Sequence, residues 1–310
     1  MTNNKHIPVL LNEVIEGLNI KKDGTYVDLT LGRGGHSEEI LKRLTTGLLI
    51  GVDQDEEAIK ESSLRLAKYS KNLKIVKSNF VRIDEVLAKL NIKKVDGVLM
   101  DLGVSSPQFD EGDRGFSYRF DSELDMRMDQ QNNPLTAKKI VNEYSLNELT
   151  RVFRDYGEEK YSYQIAKTIV KERETKPINT TNELVDIIKR SKPSKELKKA
   201  GHPAKQVFQA LRIEVNDELN VLKETLMKVT SLLNKKGRLA VISFHSGEDR
   251  IVKEWFKKLT VIEGNRYDLP LQNEKLEFKL VNKKVIVPST KELEENHRSV
   301  SSKLRIIEKL

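Results

Sequence analysis

The residues of this chain whose types and spacing could do chemistry are a run of glycines and three carboxylates that each close an apolar stretch. Asp28 ends Tyr26-Val27-Asp28, and Gly32, Gly34 and Gly35 follow it. Asp53 ends Leu48-Leu49-Ile50-Gly51-Val52-Asp53, and Asp101 ends Val98-Leu99-Met100-Asp101. A strand that runs through glycines into a helix lets backbone N–H groups approach a ligand closely. A carboxylate about 20 residues further on, at the end of a second parallel strand, suits the two hydroxyls of a ribose. The ordered pair indicates a nucleoside-type cofactor; a plain loop, with Asp53 capping the helix that starts near Glu56, is the alternative. A nicotinamide dinucleotide is disfavoured because Ser37 stands where G-x-G-x-x-G needs its third glycine.

Other candidates sit close by in the expected fold. An unpaired carboxylate after a buried strand is costly, so Asp101 needs a cofactor, a substrate or a helix N-terminus as partner. Phe80, after a third strand, can pack on an adenine or simply in the core. His36, on the first turn after the glycines, can contact the cofactor or serve packing; His245, in Ser243-Phe244-His245-Ser246, can touch substrate or bond within its own turn. The five histidines show no paired spacing, so no metal site is expected.

These residues need a scaffold, and strands alternate with helices to provide one. Strands are expected at 25–29, 48–53, 73–77, 95–103 and 238–243, with helices at 37–44, 56–68 and 82–90 between the first four. That alternation predicts a parallel sheet with helices on both faces and ligands at the carboxyl ends of its strands. Ser246 is a candidate cap for a helix over 247–258, and further strands are expected at 277–281, 284–287 and 303–308. Residues 104–134 read as a long polar loop, a length that is uncommon without function. From Thr136 to Lys199 only helical patterns occur, one of them opening on the capping box Thr180-x-x-Glu183, and a helical stretch over 204–233 leads back to the sheet. We therefore expect an inserted all-helical domain over 107–213 within an α/β domain made of 1–106 and 214–310.

Composition narrows the class. A chain of 310 residues with 37% hydrophobic and 33% charged residues reads as soluble and globular; without a membrane span or signal-peptide core, its expected address is the cytoplasm. Cysteine is absent, which excludes disulfides and the cysteine nucleophile that C5 methylation of a pyrimidine ordinarily requires. A net charge of +8 suits a polyanionic partner. Seven basic residues between Lys189 and Lys205 oppose one acidic residue, Glu196, and Pro193, Gly201 and Pro203 break that run into loops fit for RNA phosphates.

The D-x-x-x-G-x-G-G pattern from Asp28 resembles motif I of class I S-adenosylmethionine methyltransferases. Nearly end to end, the chain resembles the bacterial MraW/RsmH family. The marks are His6-x-Pro8-Val9-Leu10-Leu11, Gly32-Arg33-Gly34-Gly35-His36-Ser37, Asp101-Leu102-Gly103-Val104-Ser105-Ser106-Pro107-Gln108, Arg114-Gly115-Phe116-Ser117 and Leu124-Asp125-Met126-Arg127-Met128. Further marks are His202-Pro203-Ala204, Phe208-Gln209-Ala210-Leu211-Arg212-Ile213, Ser243-Phe244-His245-Ser246 and Leu304-Arg305. Gly247 stands where the family usually has Leu, and Glu123 where it usually has Pro.

The resemblance implies a class I, Rossmann-like methyltransferase domain with an inserted helical domain, and transfer of a methyl group from S-adenosylmethionine to N4 of a cytosine in the decoding region of 16S rRNA. It implies cofactor contacts at Gly34, Gly35, His36, Asp53, Phe80, Asp101 and Gln108. Asp101 is the candidate to accept from the amine, with carbonyls of Ser105, Ser106 and Pro107, or else serves mainly the cofactor; Phe109 or Phe116 would stack on the base or simply pack, and His245 would touch it. The expected partner is 16S rRNA within the small ribosomal subunit, with no membrane and with a homodimer allowed. The rivals are an RNA-binding ribosome-assembly factor without activity and an NAD-dependent oxidoreductase.

Overall fold

A computed structural model describes residues 7–103, 112–261 and 276–310. Among the described residues, seven strands form one sheet: β1 (Thr25–Asp28), β2 (Leu48–Asp53), β3 (Leu73–Lys77), β4 (Val95–Asp101), β5 (Leu233–Ser243), β6 (Phe278–Leu280) and β7 (Lys303–Lys309). Their order is β3-β2-β1-β4-β5-β7-β6. Strands β1 to β5 run parallel, and β7 lies antiparallel to both β5 and β6. This is the α/β class I methyltransferase order, and it reverses direction between β1 and β4, where such sheets bind ligands.

Side chains alternate across the sheet with the period of two that a strand imposes. Val27, Ile50, Val98 and Leu239 face one core, which is covered by Ile83, Val86 and Leu87 of one helix, Leu222, Leu226 and Val229 of another, and Val252 and Phe256 of a third. Tyr26, Leu49, Leu99 and Ala240 face the other, covered by Val14, Leu18, Ile40, Leu41 and Leu66. Both faces of the central strands are therefore buried, as their near-continuous apolar runs require.

The chain separates into two compact units, Met1–Gly103 with Leu219–Leu310, and Val104–Glu218. Within the second, helices at Ala137–Glu143, Leu146–Asp155, Ser162–Arg173, Thr181–Ser191 and Lys205–Asn216 enclose a core that includes Ile140, Phe153, Ile165, Ile188, Phe208 and Leu211. The Thr180–Glu183 capping box forms: the Glu183 N–H donates to Thr180 Oγ1 at 3.4 Å and the Thr180 N–H to Glu183 Oε2 at 3.2 Å. Among the described residues no helix is long and apolar enough to cross a membrane.

Three details differ from the sequence reading. The helical stretch over 204–233 is two helices, Lys205–Asn216 and Glu218–Leu232, because Asp217 takes the left-handed conformation at φ 49°. Arg212 spans this break with paired bonds to Glu218 at 2.8 and 2.9 Å. The strand expected at 284–287 is only a bridge between Ile286 and Leu304. Ser289 caps an unforeseen helix, Thr290–Glu295, by accepting from the Glu292 N–H, and the Glu292 carboxylate accepts instead from Leu10 N–H.

Candidate active site

Asp28, Asp53 and Asp101 stand at the carboxyl ends of β1, β2 and β4, strands that are adjacent in the sheet. Asp28 is buried and committed to its own turn. Its Oδ2 accepts from Ser37 Oγ at 2.7 Å and its Oδ1 from the Thr30 N–H at 3.1 Å, so the aspartate ties the strand to the helix after the glycines. Burial holds its carboxyl above the ordinary range against these bonds.

The glycines have distinct reasons to be glycine. Gly34 ends the turn at φ 72°, a left-handed conformation, and a Cβ there would lie 2.9 Å from Leu66 Cδ1. A Cβ on Gly35 would lie 2.4 Å from Pro8 Cγ. The Ile7-Pro8-Val9 segment thus packs directly on the start of the helix Gly35–Leu41.

His36, 6% exposed, extends this contact: its Nε2 lies 2.9 Å from the Val9 carbonyl. Burial lowers its pKa to about 4, so the ring is neutral, carries its proton on Nε2 and donates it to Val9. The bare Nδ1 faces Asp101 Oδ2 at 3.6 Å. Asp101 Oδ1 is inaccessible and has no hydrogen-bond partner among the described residues. Burial, then the charges of Asp28 and Glu248, raise the Asp101 carboxyl well above its ordinary value. The Asp101 backbone is fixed by an N–H bond to Thr30 Oγ1 at 2.7 Å.

Asp53 is half-buried and accepts from the Gly32 N–H at 2.8 Å and the Asp55 N–H at 2.9 Å. Burial lifts its carboxyl to about 6 against these bonds. The carboxylate's remaining lone pairs can accept hydroxyls. The helix expected from Glu56 is capped by Asp55, whose carboxylate accepts from the Glu57 N–H at 3.1 Å, so Asp53 is not the cap. Phe80 is half-buried at the start of a short turn capped by Asn79 and packs against the core that contains Ile83.

Other expected residues fall elsewhere. His245, not Ser246, caps the helix Ser246–Thr260: Nδ1 accepts from the Glu248 N–H at 3.4 Å, while Glu248 Oε2 accepts from the Phe244 and His245 N–H groups at 2.8 and 3.3 Å. This box is closed locally and engages Nδ1, while Nε2 lies 3.2 Å from Glu248 Oε1. Phe116 is 3% exposed within the helical core, with the Arg114 guanidinium 5.5 Å above its ring. It has no open face for a base, which corrects its expected stacking role to packing. Ser105, Ser106, Pro107, Gln108 and Phe109 lie outside the described residues. The residue that sequence reasoning missed is Thr30, whose hydroxyl joins the turn of Asp28 to the backbone of Asp101; only its place in D-x-T after a strand hinted at this.

The carboxylates of Asp28 and Asp53 take their hydrogen bonds from hydroxyls and backbone N–H groups rather than from Lys or Arg. Such an acidic strand-end cluster favours a ligand with positive charge over a pyrophosphate. The comparisons agree with a methyl-transferring protein. The chain is 56% identical over 308 residues to ribosomal RNA small subunit methyltransferase H of Mesoplasma florum, covering 98% of this chain and 99% of that one. It is 52% identical over 308 residues to the protein of the same name from Exiguobacterium sibiricum, covering 99% and 98%, and 54% identical over 313 residues to that of Spiroplasma kunkelii, covering 99% of each. Residues 3–310 match the MraW methylase family, and the chain belongs to that family.

Proposed function

We propose that the protein transfers a methyl group from S-adenosylmethionine to N4 of a cytosine in the decoding region of small-subunit ribosomal RNA. The observation that carries this reading is Asp101, a half-buried carboxyl at the switch point of the sheet whose inaccessible Oδ1 has no hydrogen-bond partner among the described residues. The family membership, and relatives named for ribosomal RNA of the small subunit, support the substrate class.

The residues present fit this cofactor. Its ammonium and sulfonium charges match the strand-end carboxylates, and a dinucleotide pyrophosphate would be repelled by them. When bound, S-adenosylmethionine supplies an electrophilic methyl group. Gly34 and Gly35 shape the turn beside it, Asp53 accepts the ribose hydroxyls and Phe80 offers an apolar edge to the adenine, with Gln108 as a further contact. His36, bonded to the Val9 carbonyl, lies beside Asp101.

The chain's chemical task is to prepare a weak nucleophile. The lone pair of the cytosine amine is delocalised into the ring, so an acceptor for its hydrogens must favour a more pyramidal nitrogen and then take a proton. Asp101 is that acceptor in this proposal, and the backbone of Ser105, Ser106 and Pro107, with Phe109, is assigned to hold the base. Absence of cysteine is consistent with a nitrogen acceptor. The helical unit is assigned to recognise the RNA.

The test is incubation of the protein with methyl-labelled S-adenosylmethionine and unmodified small ribosomal subunits, then mass spectrometry of the nucleosides. Labelled N4-methylcytidine is expected. Cofactor binding without label in any nucleoside would favour a ribosome-assembly role instead.

Asp53→Ala is expected to weaken cofactor affinity roughly 10- to 100-fold, the loss of hydrogen bonds to a charged group at about 1.5–3 kcal/mol. Calorimetry reads this directly. Because the ionised carboxylate is the better acceptor and its pKa is about 6, the parent's affinity should decline as pH falls through that value. The decline should be absent in Asp53→Asn.

A further inference from the structure

The helical unit carries a second cluster, distant in sequence from the strand-end carboxylates. The rings of Tyr118 and His202 stack in parallel, 4.2 Å apart and inclined by 7°, and Phe208 meets Tyr118 edge-on at 5.7 Å. The His202 Nδ1 accepts from the Ala204 N–H at 3.2 Å. The imidazole proton is therefore on Nε2, a donor available to a ligand. His202 also lines a cavity of about 240 Å³ with Lys160, Tyr161, Lys199, Gly201, Pro203 and Gln206 among its walls.

A buried ion pair holds this cluster in place. Lys192 Nζ lies 2.6 Å from Glu159 Oε2, with side-chain exposures of 6% and 2%, and donates to the Pro203 carbonyl at 2.6 Å. The Lys192–Glu159 pair thus pins the His202-Pro203 turn to the helical core. Two lysines in the cavity wall are neutralised, Lys192 by Glu159 and Lys199 by Glu196. The excess charge lies around them: Arg119, Lys160, Lys195, Lys198 and Lys205 are exposed and make no ion pair among the described residues. Burial, then the charges of Lys189, Arg119 and Lys192, lowers the pKa of His202, so the ring remains a neutral, flat surface in a positive field.

A flat ring in a positively charged surround matches the way single-stranded RNA is held, with bases on aromatic faces and phosphates among cations. A solvated lysine surface needs neither the ring stack nor the buried pair. We propose that the Tyr118–His202 stack and its surrounding lysines form a subsite for one nucleotide of single-stranded RNA, the base lying against His202 and the adjoining phosphates meeting Lys195, Lys198 and Arg119. This rests on the RNA reading of the function and adds a nucleotide contact separate from the methyl acceptor.

The experiment measures binding of a fluorescein-labelled oligouridylate to the full chain by anisotropy across a salt series. His202→Ala is expected to weaken binding roughly tenfold, the scale of one base–ring stack, and His202→Phe to stay close to the parent. Lys195→Ser with Lys198→Ser should weaken binding and flatten the salt dependence by about 0.7 for each phosphate left without its cation. Urea unfolding of the helical unit should match the parent in all three, which establishes that they fold, and affinity for S-adenosylmethionine should be unchanged. Polyglutamate should compete poorly. Equal binding by parent and His202→Ala, or competition by polyglutamate as strong as by unlabelled oligouridylate, overturns the subsite. If the parent nonetheless methylates small-subunit RNA, the subsite alone has failed. A parent that neither binds nor methylates RNA removes the functional reading as well.

Discussion

Asp101→Asn is expected to lose methyl transfer by about 10²–10⁴-fold, the range for a removed acid–base group, and yet to melt above the parent at pH 8 in the absence of cofactor. Both effects follow from one carboxyl. Folding raises its pKa well above the ordinary 3.8, so the folded state binds this proton more tightly than the unfolded chain does. Its contribution to stability is therefore whole below about 3.8 and drains away as pH rises through the folded value. Asparagine cannot ionise and escapes that loss. The two melting temperatures should converge near pH 4 and separate as pH rises; Asp53, shared by both proteins, cancels in the difference. Parallel melting curves would refute the raised pKa of this carboxyl, and full turnover by the variant would remove Asp101 from the chemistry.

Lys192→Met should destabilise the helical unit by about 3–5 kcal/mol, because it leaves Glu159 buried without its counter-charge. It also frees the Pro203 carbonyl that Lys192 holds. Adding Glu159→Gln should recover part of the loss, since an amide costs less to bury than a carboxylate. Urea unfolding of the four proteins of this cycle measures the coupling. A Lys192→Met variant within about 0.5 kcal/mol of the parent, the range of an ordinary surface change, would show that the pair contributes no such anchoring.

What the sequence disclosed was set by how local each signal is. The strand ends at Asp28, Asp53 and Asp101 were legible because apolar runs of strand length closed by a carboxylate need only a few consecutive residues. The box of Thr180 and Glu183 was legible for the same reason. The break at Asp217 was not, since no glycine or proline marks it and the left-handed turn is held by helix-end bonds and Arg212. For His245 the sequence allows substrate contact or a bond within its own turn, and the structure shows the latter; Ser246 beside it is the commoner capping type and draws the cap assignment. Phe116 looked available for stacking because a polar loop flanks it, whereas helices far along the chain bury it. The pairings of His36 with Val9 and Asp101, Lys192 with Glu159, and Tyr118 with His202 join distant segments, and no local pattern announces them.

Strands β4 and β5 are parallel neighbours in the sheet, yet all the chain between residues 101 and 233 separates the end of one from the start of the other. Ordering them in register means closing that whole length into a loop. Within the helical unit, Asn216 is tied back to the segment near its start: its Oδ1 accepts from the Met128 N–H and its Nδ2 donates to the Met126 carbonyl, each at 2.8 Å. Once these bonds form, the free chain between β4 and β5 is about three times shorter, which lowers the entropy of loop closure by about 1 kcal/mol. The insertion should then fold ahead of the sheet's centre. On the ribosome, β1 to β4 would wait unpaired with β5 until the helical unit has emerged and shortened the path.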